Sequence, residues 1–184
     1  MSETQPAVRR VVTGHDPRGV ATIVTDSPAP VTRTVPERPG YRVTDLWATT
    51  SSPAEIDAPD GVADIRGVLP PRGGTVIRVI DFPPEPADPQ QRARGMSATF
   101  DTLYPDADRA AGQALHPGMH RTDTVDYALV LSGEVTAVLE DTETVMRAGD
   151  VLIQRGTNHA WANRSGQSCR IAFVLIDGAP RRGP

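Results

Sequence analysis

Short runs in which apolar and polar residues alternate, broken by glycine, proline and aspartate, recur along the chain and predict strands. VRRVV (8–12) and VATIVTD (20–26) flank the turn signal HDPRG, and YRVTDLWAT (41–49) and GTVIRVIDF (74–82) follow after proline- and aspartate-rich connectors. The pattern then changes. PPEPADP leads into QQRARGMSATFDTLYPDADRAAGQAL, where Asp88 and Pro89 are placed to cap and start a helix from Gln90 to about Tyr104. From residue 119 the strands DYALVL, EVTAVLE, TVMRAG, DVLIQR, HAWAN and CRIAFVLID succeed one another. Tight turns at Ser132-Gly133, Glu140-Asp141, Ala148-Gly149, Gly156-Thr157 and Arg164-Ser165-Gly166 separate them. Evenly spaced short strands of this kind point to an all-β barrel or sandwich. The expected organisation is one structural domain in three parts: N-terminal strands packing on or extending the barrel (1–82), a helical and loop insert acting as a lid (83–118), and the core barrel (119–178).

With 184 residues and 38% hydrophobic content, the chain is long enough for one domain with a real core. No apolar run approaches a membrane span, and MSETQPAVRR lacks the layout of a signal peptide, so a cytoplasmic protein without a membrane partner is expected. The single Cys169 agrees, and its apolar strand setting argues against thiol chemistry. A net charge of -4 argues against a nucleic-acid partner. The chain contains no lysine, which excludes Schiff-base and Walker-type chemistry and leaves histidine, carboxylate and metal.

Two segments concentrate that chemistry. In the first, His120 is followed by Thr122, by Asp126 and, after six residues, by Gly133; in the second, Gly149-Asp150 leads through Arg155-Gly156-Thr157 to His159 and Asn163. Over residues 116–177 this layout resembles the core of the cupin superfamily, small β-barrels of the jelly-roll type. The resemblance implies a cupin-type jelly-roll β-barrel, a homodimer and a metal site. It is incomplete in the ligands: Thr122 stands where the family has a second histidine and Asp126 where it has a glutamate. Gln154-Arg155 replaces a usual proline, and the Gly149 to His159 spacing is one residue short, so the family's four-ligand set is not intact.

Strand alternation points His120 and Thr122 the same way, puts Asp126, Ala128 and Val130 on one face, and does the same for His159, Trp161 and Asn163. If both strands line the barrel, His120, Asp126 and His159 converge. Two imidazoles and a carboxylate make a facial triad for a divalent transition metal, iron, zinc, nickel or manganese, with positions open for substrate, water or oxygen. Against this, His120 reads equally as a hydrogen-bonded interior histidine, and Asp126 as a strand-edge carboxylate or a partner orienting an imidazole. Asn163 reads as a turn residue and His15 as solvent-exposed. His116, in LHPGMH, is a possible third imidazole, but the Pro117-Gly118 turn breaks the alternation. For substrate binding, Thr122 shares the direction of His120, Ala128 leaves room, Trp161 offers an apolar wall, and Arg155 either pairs with an anion or lies in solvent. Tyr127, Leu129 and Leu131 face away, toward another sheet or a partner chain.

These features predict a metal-dependent enzyme acting on a small organic metabolite, polyketide-like or a carboxylate. The chemistry is Lewis-acid dehydration, isomerisation or decarboxylation, or iron-dependent oxygenation of the dioxygenase kind. A metal-free site using a histidine as general base is a further option. By analogy with tailoring enzymes among small bacterial cupins, secondary metabolism is the expected setting. The alternative is a non-catalytic barrel that senses a small molecule.

Overall fold

The computed structural model describes residues 5–109 and 112–180. In chain order its strands are β1 (Arg9–His15), β2 (Ala21–Pro28), β3 (Val31–Thr34), β4 (Arg42–Thr49), β5 (Thr75–Phe82), β6 (Thr124–Ser132), β7 (Glu134–Val138), β8 (Glu143–Arg147), β9 (Val151–Arg155), β10 (Ala160–Ala162) and β11 (Cys169–Asp177), with helix α1 (Pro89–Leu103) between β5 and β6. Six strands form the larger sheet in the order β3-β4-β5-β11-β6-β9, and three form the smaller in the order β10-β7-β8. All of these pairings are antiparallel. Side chains from both sheets interlock, Trp161 of β10 meeting Phe173 of β11 edge-on with ring centroids 5.3 Å apart.

The all-β barrel with one helix is as the sequence predicts, yet the N-terminal strands do more than extend it. β5 sits in the middle of the larger sheet, paired with β4 on one side and β11 on the other. β3 lies in a stretch that reads as a connector, because four residues are too few to show a period; pairing with β4 makes it a strand. The β1-β2 hairpin forms a separate two-stranded sheet and ties down through buried Arg10, which reaches Asp60 at 2.5 Å. On the outer face Asp81 of β5 clamps its neighbours, accepting from Arg42 Nε at 2.8 Å and Arg170 Nε at 2.7 Å. Both arginines are its direct cross-strand partners.

The helix starts where its cap predicts. Asp88 accepts a hydrogen bond from the Gln90 amide at 2.9 Å, and Pro89 fills the first helical position. Met96, Thr99, Phe100 and Leu103 recur every three or four residues and are buried, so one stripe of the helix faces the barrel. Phe100 and Leu103 belong to the same core as Ile80, Phe82, Ile171, Phe173 and Leu175. The helix is thus a wall of the barrel interior, and no helix among the described residues is long and apolar enough to cross a membrane.

Asn163 fastens the end of β10 to the larger sheet. Its Nδ2 donates to the carbonyls of Phe82 and Gln167, each at 2.8 Å, while its Oδ1 accepts from the Ser165 amide and hydroxyl. The turn role expected of it is the observed one. Asn163 is 1% exposed, so Asn163→Ala strands buried amide and carbonyl groups and is expected to cost roughly 2–4 kcal/mol of unfolding free energy. Urea denaturation followed by circular dichroism checks this.

Candidate active site

The site begins with a backbone contact. His120 and His159 exchange both amide-to-carbonyl hydrogen bonds, at 3.0 and 2.9 Å, as an isolated antiparallel bridge. Residues directly opposite in such a bridge place their side chains on the same face. The two rings therefore lie side by side, with centroids 4.4 Å apart. Each imidazole is then fixed by its own Nδ1–H, His120 donating to the Gly118 carbonyl at 2.9 Å and His159 to that of Thr157 at 3.0 Å. A neutral ring that donates from Nδ1 carries its lone pair on Nε2. Burial lowers the pKa of His120, with the Arg109 cation adding to the effect; burial and then the neighbouring His120 hold His159 down at about 3. Both rings are neutral at pH 7.

Two supporting chains hold these tautomers. Buried Gln154 of β9 donates through Nε2 to the Thr157 carbonyl at 2.8 Å, and to the Thr157 hydroxyl, on the loop that orients His159. On the other side Glu85 accepts from His116 Nε2 at 2.8 Å, His116 Nδ1 accepts the Gly118 amide at 3.0 Å, and Gly118 in turn orients His120. A Cβ on Gly118 would lie 3.1 Å from the His116 ring and press on it. His116 is buried and does not line the cavity; its ring positions the turn rather than supplying a third imidazole.

The pair opens onto a cavity between the two sheets and α1. Thr122, Asp126, Trp161, Phe173, Phe100 and Tyr104 contribute to its lining. Asp126 is 5% exposed and its Oδ1 has no hydrogen-bond partner. Burial pushes its carboxyl up to about 6, against the opposing pull of a Thr124 hydrogen bond and the Arg78 cation. Thr122 and Thr124 share a hydrogen bond at 2.7 Å between their hydroxyls. Among the described residues no three His, Cys, Asp or Glu side chains form a group able to hold a metal ion. The imidazoles adjoin, but the carboxylate belongs to β6 and does not join them, and Thr122 offers a hydroxyl where the family has an imidazole. The expected facial triad of His120, Asp126 and His159 is not assembled, and the donor set does not fit the family's metal site.

Other expectations are corrected by register. Asp126 pairs with Gln154 on β9, which turns Gln154 inward and, by alternation, Arg155 outward; Arg155 is exposed and lines no part of the cavity. Ala128 shares the inward face of Asp126, but Phe173 lies directly across from it and occupies the space, leaving Ala128 fully buried in the core. Thr122 and Trp161 line the cavity as expected. Tyr127 and Leu131 face outward, 40% and 51% exposed, and His15 is exposed. Cys169 is buried, its thiol pushed up to about 12 by that burial, which agrees with an unreactive role.

Sequence reasoning missed the cavity's arginines, Arg38 and Arg78. Arg78 lies within GTVIRVIDF on the same face as Val76 and Ile80, and a charge amid apolar same-face neighbours was the available signal. Arg38 comes from the turn between β3 and β4, where no period marks it.

Residues 109–176 match the family described as Cupin domain. The chain is 31% identical over 180 residues to "Phomopsin biosynthesis cluster protein C'" of Diaporthe leptostromiformis, covering 93% of this chain and 79% of that one. It is 27% identical over 177 residues to "Cupin-domain-containing oxidoreductase fogC" of Aspergillus ruber, covering 92% and 72%. Both relatives are fungal, whereas the sequence analogy was to bacterial proteins. Among solved structures, a Cupin 2 conserved barrel domain protein from Salinispora arenicola aligns over 78% of this chain and 82% of that chain, with 11% identity and a TM-score of 0.42. With the family match over residues 109–176 and the relative 31% identical over 180 residues, the chain belongs to the cupin superfamily.

Proposed function

We propose that this cupin is an enzyme of small-molecule metabolism that moves a proton at carbon next to a carbonyl, as in an isomerisation or dehydration, with Asp126 as the proton-transfer group. The observation that carries this reading is the Asp126 carboxyl, buried with an unpartnered Oδ1 in the wall of a cavity and pushed up to about 6. A group titrating near the working pH serves both as base and as acid. In its ionised form Asp126 takes the proton from the C–H bond, and the electron pair moves into the carbonyl to give an enolate. In its protonated form it returns that proton to another carbon, completing an isomerisation, or to a departing β-hydroxyl, which leaves as water. His159, held down at about 3, is too weakly basic to compete for the proton, and burial lowers His120 as well. Their Nε2 lone pairs accept hydrogen bonds, which suits them to orient a hydroxyl of the substrate. The biosynthesis-cluster and oxidoreductase names of the relatives support a metabolic setting.

The competing reading is a barrel that binds a metabolite without turning it over. Incubation with aryl ketones and unsaturated keto acids in D₂O, followed by mass spectrometry, separates the two. Deuterium wash-in is expected for a subset of the panel, to survive dialysis against chelator, and to fall by about 10² or more in Asp126→Asn. Wash-in that disappears with chelator and returns with iron or zinc would overturn the proton-transfer assignment; binding with no wash-in favours the sensor.

The same residue sets a pH signature in stability. Its folded pKa, about 6, lies above the ordinary 3.8, so its protonation favours the folded state fully below about 4, and that contribution is lost as pH rises through 6. Above that, the buried carboxylate costs on the order of 1–3 kcal/mol. Asp126→Asn is therefore expected to raise the melting temperature at pH 8, with the gain shrinking toward pH 5, as scanning calorimetry at both pH values measures. A homodimer is also proposed, resting on the outward Tyr127, Leu131, Val151 and Ile153 of β6 and β9. Light scattering is expected to give twice the chain mass, and Leu131→Glu to shift it toward the monomer.

A further inference from the structure

We infer that the cavity recognises a carboxylate on its ligand through the guanidinium groups of Arg38 and Arg78, and so takes apolar, flat acids of the aryl or unsaturated type. This deepens the proposed function and rests on the same cavity being a metabolite site.

Arg78 is 1% exposed. Its Nη1 donates to the Gly67 carbonyl at 3.1 Å and its Nε lies 3.3 Å from Asp45 Oδ1, but neither Nε nor Nη2 has a hydrogen-bond partner. Asp45 does not balance it alone, because Arg33 holds the other carboxylate oxygen at 2.6 Å. Two guanidiniums against one carboxylate leave one positive charge in the trio. Arg38 adds a second. Its guanidinium stacks 4.0 Å over the Tyr41 ring and 5.8 Å from that of Phe82, and it makes no hydrogen bond or ion pair among the described residues. Glu85, which accepts from His116 at 2.8 Å, acts on Arg38 through space, as Asp126 of the same cavity does on Arg78, but neither carboxylate hydrogen-bonds a guanidinium among the described residues.

The buried Nε–H and Nη2–H groups of Arg78 are costly unless a ligand supplies acceptors, and half-buried Arg38 lines the same cavity. A carboxylate does so with two coplanar oxygens that match the guanidinium fork, whereas a neutral amide offers one acceptor and brings donors toward donors. The remaining lining specifies the body of the ligand. Val68, Ile80, Phe82, Phe100, Phe173 and Leu175 form apolar walls that suit a flat hydrocarbon frame. Arg78 is held by sheet register opposite Asp45 and Phe173, so its position does not depend on ligand.

Isothermal titration of the protein with cinnamate and with cinnamamide tests this. The wild type is expected to bind cinnamate at least about tenfold more tightly than the amide, the size of effect a charge-assisted hydrogen bond supplies. Arg38→Met, which breaks no ion pair, and Arg78→Met are each expected to reduce that preference by about fivefold or more, with Arg155→Met leaving it unchanged. Equal binding of acid and amide, binding of neither, or a preference that survives in Arg38→Met would overturn the inference; if Arg78→Met fails to fold, Arg38→Met decides alone. In Asp126→Asn the cinnamate preference is expected to persist while deuterium wash-in is lost, so failure of carboxylate recognition and failure of the proton-transfer reading are distinguishable.

Discussion

Two backbone hydrogen bonds exchanged between His120 and His159 are the constraint on which the site depends. They stitch the segment entering β6 to the segment entering β10, joining an element of the larger sheet to one of the smaller. With the main chains locked at 2.9 and 3.0 Å, the imidazoles have no freedom to separate, and the cavity inherits a fixed pair of nitrogen acceptors. Everything that orients them acts through carbonyls of adjoining turns. Gln154 holds the Thr157 carbonyl and His116 holds the Gly118 amide, so the neutral tautomers are a property of the loops as much as of the rings.

Around that pair the barrel interior departs from an ordinary apolar core. An unpartnered carboxyl oxygen on Asp126 and unpartnered guanidinium nitrogens on Arg78 sit among Phe173, Trp161 and Leu175. Each lowers stability relative to a hydrocarbon of the same shape, which is the pattern of a site held ready for a ligand rather than optimised for packing. The outer faces show the contrast. Asp81 on the same strand as Arg78 is satisfied by two arginines in direct register and needs nothing further.

Much of the fold was legible because its signals are local. The Asp88-Pro89 cap placed α1 almost to the residue, and alternation assigned Asp126, Ala128 and Val130 inward and Tyr127 and Leu131 outward. Register was not legible, and the errors follow from it. Arg155 was a candidate for the cavity because nothing in QRGTNH says that Gln154, not its neighbour, pairs inward with Asp126. Ala128 promised room that Phe173, some 45 positions away in sequence, takes up. The triad of His120, Asp126 and His159 failed for a related reason: alternation fixes a side chain's face but not how far along the barrel it lies. Arg38 and Arg78 escaped notice because half of the cavity is built by strands and turns remote from the histidine motif.

What distinguishes this barrel is a carboxyl, Asp126, titrating near neutrality in the same cavity as two imidazoles whose pKa burial lowers. Carbon-13 NMR titration of protein labelled at aspartate carboxyls, with Asp126→Asn to assign the resonance, measures this directly. A midpoint near 6 is expected for Asp126. A midpoint near 4, the value of an ordinary aspartate, would contradict it.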